Sequence, residues 1–217
     1  MQSCCSKLIC EGCNYANKKR ESAERLKPIC LFCRHPEPKT TAEAIANVMK
    51  RIDANDPIAM YYMGTLRDKE GDYEGACEYW KKAAELGDAE SHFKLATCYL
   101  AGEGVEMDDE RELYHWEEAA IGGHPEARFH LGFFREFSNG RAEIAVKHLI
   151  IGANLGHDDS IKALKGCYVK ALQMGVAGYE LISKEDFAAS LRAHQAAVDA
   201  TKSPLREEAA KFFAEFG

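Results

Sequence analysis

Six of the nine cysteines in this 217-residue chain lie within the first 33 residues. Four of them form two Cys-x2-Cys pairs, Cys10/Cys13 and Cys30/Cys33, with sixteen residues between the pairs. Thiolates at this spacing are typical zinc ligands, because two such tight turns together complete a tetrahedral site. The segment has little apolar surface to bury, so bound zinc would supply the folding energy, about 10–16 kcal/mol in small modules of this kind. We therefore predict a zinc-binding module over residues 1–39.

The grouping of the ligands stays open at this stage. The predicted zinc ligands are the six clustered thiols, Cys4, Cys5, Cys10, Cys13, Cys30 and Cys33. The two Cys-x2-Cys pairs can surround one ion by themselves, with His35 as a substitute ligand or as a surface residue. Reduced cysteines in a small core are the alternative to metal. Without a visible secretory signal, clustered pairs of this kind favour metal over disulfides.

The cysteine pattern also resembles part of a RING-type zinc finger. The run from Cys4 to Cys13, followed by Cys30-Leu31-Phe32-Cys33-Arg34, is similar to the second, third and fourth ligand pairs of that family. The resemblance implies two zinc ions in a cross-brace, and the first ligand pair is missing from this sequence. Lys7 also stands where a RING commonly has histidine, so the finger is interpreted as a truncated RING.

The same resemblance implies residues that would contact a ubiquitin-conjugating enzyme. Arg34 follows the last cysteine, at the position of the cation that bridges to ubiquitin, and Ile9 would contribute to the docking groove. A surface-exposed arginine is the alternative for Arg34. A RING-type ubiquitin-protein ligase is therefore one hypothesis for the function.

The chain that follows this N-terminal head (residues 1–39) contains an internal repeat. Four residues of the segment 79–90 recur twice at fixed offsets: Trp80, Ala83, Ala84 and Gly87 return as Trp116, Ala119, Ala120 and Gly123, and then as Leu149, Gly152, Ala153 and Gly156. The spacings from Trp80 to Trp116 and from Trp116 to Leu149 are 36 and 33 residues. Self-similarity at this period is typical of an array of helical hairpins.

The repeated pattern, with Ala101-Gly102-Glu103-Gly104-Val105 as its most specific fragment, resembles the Sel-one-like repeat, a relative of the tetratricopeptide repeat. That resemblance implies an all-α, right-handed α-solenoid. The predicted organisation is a coupling helix over 40–55, repeats over 56–87, 88–123 and 124–156, a degenerate repeat over 157–182, and capping helices over 183–217. A flexible linker is the alternative for 40–55. Finger and array together resemble a family of uncharacterised algal proteins.

The start of the coupling helix and the histidines between repeats have specific local interpretations. Thr40 and Glu43 have the spacing of a capping box, in which both side chains satisfy free backbone N–H groups. His124 and His157 follow Gly123 and Gly156 at equivalent positions. They are interpreted as helix-entry residues, with a pair of ligands across neighbouring repeats as the alternative.

A binding groove is expected on the first helices of the repeats. By analogy with tetratricopeptide arrays, one repeated position faces the concave side, and residues one turn further on lie beside it. The predicted groove residues are Tyr61, Phe93, Phe129 and Lys162 at the first position and Thr65, Thr97 and Phe133 at the second. Aromatic side chains there would anchor a partner peptide. The alternative is that these rings fill the core between helices.

Charge and composition exclude several classes of function. Residues 1–40 carry a formal charge of +4, and because the whole chain carries −7, the other 177 residues carry −11. Such an acidic body argues against general nucleic-acid binding, which needs clustered cations. No apolar run approaches the roughly 18 residues of a membrane span, and no signal peptide is visible, so we expect a cytoplasmic or nuclear protein.

No catalytic residues are predicted, because no nucleophile lies in a recognisable frame with a base and Gly102-Glu103-Gly104 lacks the lysine of a phosphate loop. The preferred hypothesis is a protein–protein interaction adaptor or scaffold with a structural zinc module. The alternative is the ligase, in which the repeats would recruit substrate.

Overall fold

The computed structural model describes residues 11–30, 33, 35–174 and 182–216. Within these residues the chain forms helices and a single antiparallel bridge, between Ile29 and Pro36. The helices are α1 (Glu11–Glu24), α2 (Thr41–Asp53), α3 (Pro57–Lys69), α4 (Tyr73–Glu85), α5 (Ala89–Ala101), α6 (Asp109–Ile121), α7 (Pro125–His130), α8 (Ala142–Asn154), α9 (Asp158–Met174), α10 (Lys184–Thr201) and α11 (Pro204–Phe216). A π-helical segment, Leu131–Glu136, continues α7 without a break. The all-α prediction is confirmed for this part of the chain.

Local sequence signals set the helix starts in the array. The side chains of Asp56, Asp72, Asp88 and Asp108 each accept a hydrogen bond from a backbone N–H in the first turn of the helix that follows. Each carboxylate thereby satisfies a donor that the helix leaves unpaired. The turns between helices use glycines with positive φ, such as Gly87 at 84° and Gly123 at 87°.

Paired helices enclose the residues that recur in the sequence. Trp80 on α4 is 2 % exposed and Trp116 on α6 is 4 % exposed, and Leu149 on α8 is fully buried at the equivalent position. Each is the centre of a separate core cluster. The repeat period was therefore a period of core residues, and the helices stack as hairpins α3–α4, α5–α6 and α7–α8, joined through α4–α5, α6–α7 and α8–α9 contacts.

The coupling helix α2 is packed onto the array. Thr40 accepts from Glu43 N, and Glu43 Oε2 accepts from Lys39 N at 2.8 Å, so both side chains cap the helix as the sequence predicts. Val48 is 1 % exposed and joins Ala59 and Met63 of α3 in a small core. Helix α2 is therefore packed against the array and is not a solvated linker.

Two features of the described chain extend beyond the repeats. Helix α10 packs against α8 and α9 and so covers the end of the third core, where Phe187 stacks on Tyr168 with ring centroids 4.7 Å apart. Helix α11 packs against α1, and Lys19 Nζ lies 2.8 Å from Glu208 Oε1. Among the helices described, none combines the length and apolar composition that a membrane crossing requires.

Candidate functional site: the cleft between the second and third hairpins

The cleft forms over Trp116, on the inner side of α6. The indole is nearly buried, and its Nε1 donates to Glu112 Oε1 one turn earlier at 2.9 Å. The His130 ring of α7 stacks on the indole with centroids 4.4 Å apart and planes 6° apart. The hairpin that holds Trp116 and the first helix of the next hairpin thus meet through parallel rings, which fixes the floor of the cleft.

Above this floor is a cavity of about 290 Å³ between α5, α6 and the α7–π helix. Its lining is mostly apolar and consists of Leu100, Glu112, Trp116, His130, Leu131, Phe134 and Arg135. Leu100 is 47 % exposed and Phe134 is 56 % exposed, so the rim is open to solvent. The volume lies near the lower end of ligand sites, roughly 300–1,000 Å³. It suits one or two side chains of a partner.

The charges around the cavity are few. Burial lowers the pKa of His130, so its imidazole is neutral at pH 7. The Glu112 carboxylate already accepts the indole N–H. Of the described residues, none forms an ion pair with Arg135. The cleft therefore combines an apolar interior with one carboxylate and one guanidinium, Glu112 and Arg135, that do not pair with each other.

The same arrangement recurs one repeat earlier. There Lys94 Nζ lies 5.9 Å from the centre of the Trp80 ring, at the position that His130 takes over Trp116. Trp80 Nε1 donates to Tyr61 O at 3.3 Å. The side chain in register with His130 therefore lies over the repeated indole in the preceding hairpin too, and there it is a cation.

The predicted groove residues divide into two groups. Tyr61, Phe93 and Phe129 are half-buried and pack against the first, second and third core clusters respectively. The core interpretation therefore describes these rings better than the groove interpretation. Phe93 stacks on His124 with centroids 4.1 Å apart, and Phe129 lies 5.2 Å from His157, so each ring also supports the next hairpin.

The remaining predicted positions are nearer to solvent. Thr97 and Phe133 are exposed, and Thr65 is half-buried with its hydroxyl donated to Tyr61 O. Lys162 is exposed and pairs with Asp159 at 2.8 Å. Sequence register alone missed Leu100, His130, Phe134 and Arg135, which line the cavity together. Of these residues, only Leu100 lies close in sequence to a predicted groove position on its own helix, one turn beyond Thr97.

His124 and His157 are helix-entry residues, as interpreted from the sequence. His124 Nδ1 accepts from Ala127 N at 3.3 Å, and His157 Nδ1 accepts from Ser160 N at 3.2 Å. Each imidazole thus takes the capping place that aspartate holds in the first two hairpins. The ligand alternative fails here, because both Nδ1 atoms are engaged by backbone N–H groups.

A second cavity, of about 450 Å³, lies between α4, α5 and α6. Its central feature is a histidine pair, in which His92 Nε2 lies 3.1 Å from Ala84 O and His92 Nδ1 lies 3.0 Å from His115 Nδ1. Since a carbonyl only accepts, His92 carries its proton on Nε2 and accepts at Nδ1 from His115. The pKa of His115 is lowered to about 4, first by burial and then by His92, Arg111 and Lys81.

Only part of the predicted zinc module lies within the described residues. Cys13 is exposed on α1, Cys30 is buried and Cys33 is exposed, and Cys30 N donates to His35 O at 2.8 Å. The predicted ligands Cys4, Cys5 and Cys10, and the predicted enzyme contacts Ile9 and Arg34, lie outside the described residues. In the part of the chain that the structure covers, no three His, Cys, Asp or Glu side chains form a metal-binding group.

Comparison with known families matches the hairpins in the middle of the chain. Residues 57–88 and 89–124 match the model of the Sel1 repeat. A Sel1 repeat protein from Oxalobacter formigenes has a similar fold, with a TM-score of 0.59 and 22% identity over 88% of this chain and 74% of that one. A protective antigen from uropathogenic Escherichia coli strains with an SLR fold gives 0.52 and 18%, covering 83% of this chain and 37% of that one. Residues 57–124 are therefore similar to two Sel1 repeats, and the fold of the chain is similar to that of Sel1-type α-solenoids.

Two curated proteins are similar to part of this chain. Chitin synthase regulatory factor 4 of Schizosaccharomyces pombe is 30% identical over 87 residues, or 40% of this chain. DAP3-binding cell death enhancer 1 of Rattus norvegicus is 29% identical over 73 residues, or 34% of this chain. The matched segment spans 14% of the length of each relative.

Proposed function

Because the centre of the chain consists of Sel1 repeats, we propose that this protein is an adaptor that binds a protein partner through the cleft over Trp116. The observation that carries the proposal is the open apolar rim, with Leu100 and Phe134 about half exposed beside a cavity. Clusters of apolar and aromatic side chains around a pocket are typical anchors for partner side chains. The names of the two curated relatives describe a regulatory factor and a binding protein, which agrees with this class of function.

The adaptor proposal is tested by capture and cross-linking of partners with the double variant Leu100→Ser/Phe134→Ser. We expect the wild-type chain to retain a specific set of proteins that the double variant loses. Ile121→Ser is the matched control, because Ile121 is 72 % exposed on α6 and does not line the cavity. Unchanged far-UV circular dichroism shows that each variant is folded. Equal capture by the wild type and the double variant would contradict the proposal.

We further propose that the N-terminal head is a structural zinc module. The bridge between Ile29 and Pro36 and the hydrogen bond from Cys30 N to His35 O bring together the two ends of the segment that holds Cys30 and Cys33, and closely spaced thiolates are typical zinc ligands. Zinc held there would stabilise the fold of the head and take no part in a reaction. Elemental analysis of the purified protein should find zinc, and Cys30→Ser/Cys33→Ser should reduce its amount whereas Cys167→Ser should not. Two ions per chain would favour a cross-brace, and one ion a reduced module.

The ligase alternative stays a prediction, since the residues that would carry it, Ile9 and Arg34, lie outside the described residues. Incubation with ubiquitin, activating enzyme and a panel of conjugating enzymes tests it. Chain formation that is lost in Arg34→Ala would replace the adaptor proposal with a ligase.

A further inference from the structure

We propose that the cleft over Trp116 binds an acidic segment of the partner, with one bulky apolar side chain in the cavity and carboxylates beside it. This inference rests on the proposed adaptor function and adds the chemistry of the partner. It is carried by the shape of the cavity, by the placement of Phe134 and by the unpaired cation at the wall.

The π-helical segment opens the cleft. In register with Gly64, Ala96 and Gly132, Phe134 takes the position of Cys98, which is 7 % exposed in the second hairpin. A π-helix has more residues per turn than an α-helix, and such segments are frequent at functional sites. Phe134 is 56 % exposed at the edge of the cavity, and its ring stacks on His130 with centroids 5.1 Å apart.

The polar groups select the sign of the partner. Arg135 lines the cavity and, among the described residues, has no ion pair, so its guanidinium is available to a carboxylate. Lys94 lies over the Trp80 ring and offers a second cation one repeat away. Glu112 is half engaged by the Trp116 N–H, and its second oxygen takes a backbone N–H from the bound segment.

The net negative charge of the chain favours binding of an acidic segment at this cleft over binding elsewhere on the surface. The chain carries a net −7, and α6, which forms the floor, also carries Glu110, Glu117 and Glu118, which do not line the cavity. Carboxylates are repelled by most of this surface and attracted at Arg135 and Lys94. Complementarity of this kind fixes the register and orientation of a partner.

A phage-displayed library of random twelve-residue peptides tests the inference without a known partner. Selection on the wild-type chain should enrich peptides with a leucine, methionine or aromatic residue flanked by aspartate and glutamate. A selected peptide should bind Arg135→Glu at least about tenfold more weakly, a loss of about 1.4 kcal/mol. Arg192→Glu, the same charge change at an exposed residue of α10, should leave the affinity unchanged. Raising salt should weaken binding to the wild type.

The outcomes separate this inference from the adaptor function. Neutral or basic selected peptides, equal binding to Arg135→Glu and the wild type, or no enrichment would overturn the acidic partner. If Leu100→Ser/Phe134→Ser still loses the captured proteins while Arg135→Glu retains them, the adaptor function holds and the acidic partner fails. If both variants retain the captured proteins, both proposals fail.

Discussion

Gly64 sets the approach of two helices in the first hairpin. A Cβ atom at this position would lie 2.5 Å from Trp80 Nε1 and 2.6 Å from Trp80 Cδ1, closer than atoms pack. The same indole donates to the backbone oxygen of Tyr61. Gly64 therefore lets α3 lie directly on the ring, and the ring cannot move away without losing its hydrogen bond.

We expect Gly64→Ala to destabilise the protein by about 1–3 kcal/mol, the usual cost of overpacking a core. Gly166→Ala is the matched control, because Gly166 also lies inside a first helix but has no atom within 4 Å of its would-be Cβ. The control should be stabilised by up to about 1 kcal/mol, since alanine favours helix. Urea unfolding measures both, and a neutral Gly64→Ala would show that the indole can shift.

The histidine pair makes the free energy of unfolding depend on pH. His115 is folded into a site that already holds His92 and faces Lys81 of α4 and Arg111 of its own helix, with Glu85 and Tyr99 at the edge. Burial, and then the charges of His92, Arg111 and Lys81, lower the pKa of His115 from 6.5 to about 4. His115 is therefore protonated below about pH 6.5 in the unfolded chain, but only below about pH 4 in the folded chain.

Because the unfolded state binds more protons in this window, the free energy of unfolding should fall as pH drops from 6.5 towards 4. The ring is partly exposed, so we expect a contribution of about 1–2 kcal/mol after solvent screening. His115→Gln removes the titrating group, and its stability should fall by that much less between pH 7 and pH 4.5. NMR titration of the imidazole C–H signal should give a midpoint near the low value. A midpoint near 6.5 would contradict the prediction.

At the scale of elements, the sequence predicts what is local and misses what depends on packing. The capping box of α2 and the Trp80–Trp116 period could both be predicted, because each depends on residue types at fixed short offsets. The π-helical segment could not, since Leu131–Glu136 has an ordinary helical composition. Within it, Gly132 lies so close to α8 that an added Cβ would be 2.9 Å from Ala145 O and 3.0 Å from His148 Cβ, a tertiary contact that local composition does not report. The cavity depends on that segment, so it was not predicted either.

The end of the π-helical segment is held by an ion pair that can be tested. Arg141 Nη2 donates to Glu136 Oε1 at 3.0 Å, and Arg141 Nε lies 2.7 Å from Oε2, with the Glu136 side chain only 12% exposed. Arg141→Leu strands this carboxylate and should cost about 2–3 kcal/mol, below the cost for a fully buried pair. Arg67→Leu, at an exposed pair with Glu70, should cost about 0–1 kcal/mol. Equal losses in urea unfolding would show that Glu136 finds another partner.

At the scale of the whole molecule, the N-terminal helix and the last helix form a pair. Tyr15 OH donates to Glu208 Oε1 at 3.2 Å and Lys19 pairs with the same oxygen, although about 190 residues separate them. From the sequence, these two segments were predicted to be a separate N-terminal module and a separate C-terminal cap. Their contact could not be predicted, because no local pattern reports a pairing between distant helices. Because of this contact, we expect unfolding of the N-terminal module to destabilise α11 as well.

If zinc folds the head, removing it should therefore loosen two distant helices together. We expect a strong chelator to raise backbone amide exchange at least about tenfold in α1 and in α11, whose main described contact is α1, while α3 to α8 keep their protection, as separate cooperative units do. Cys30→Ser/Cys33→Ser should exchange in this way without chelator and respond no further to it. Faster exchange in α1 alone would show that α11 is held by other contacts in solution. Unchanged exchange in both helices would show that the head folds without metal.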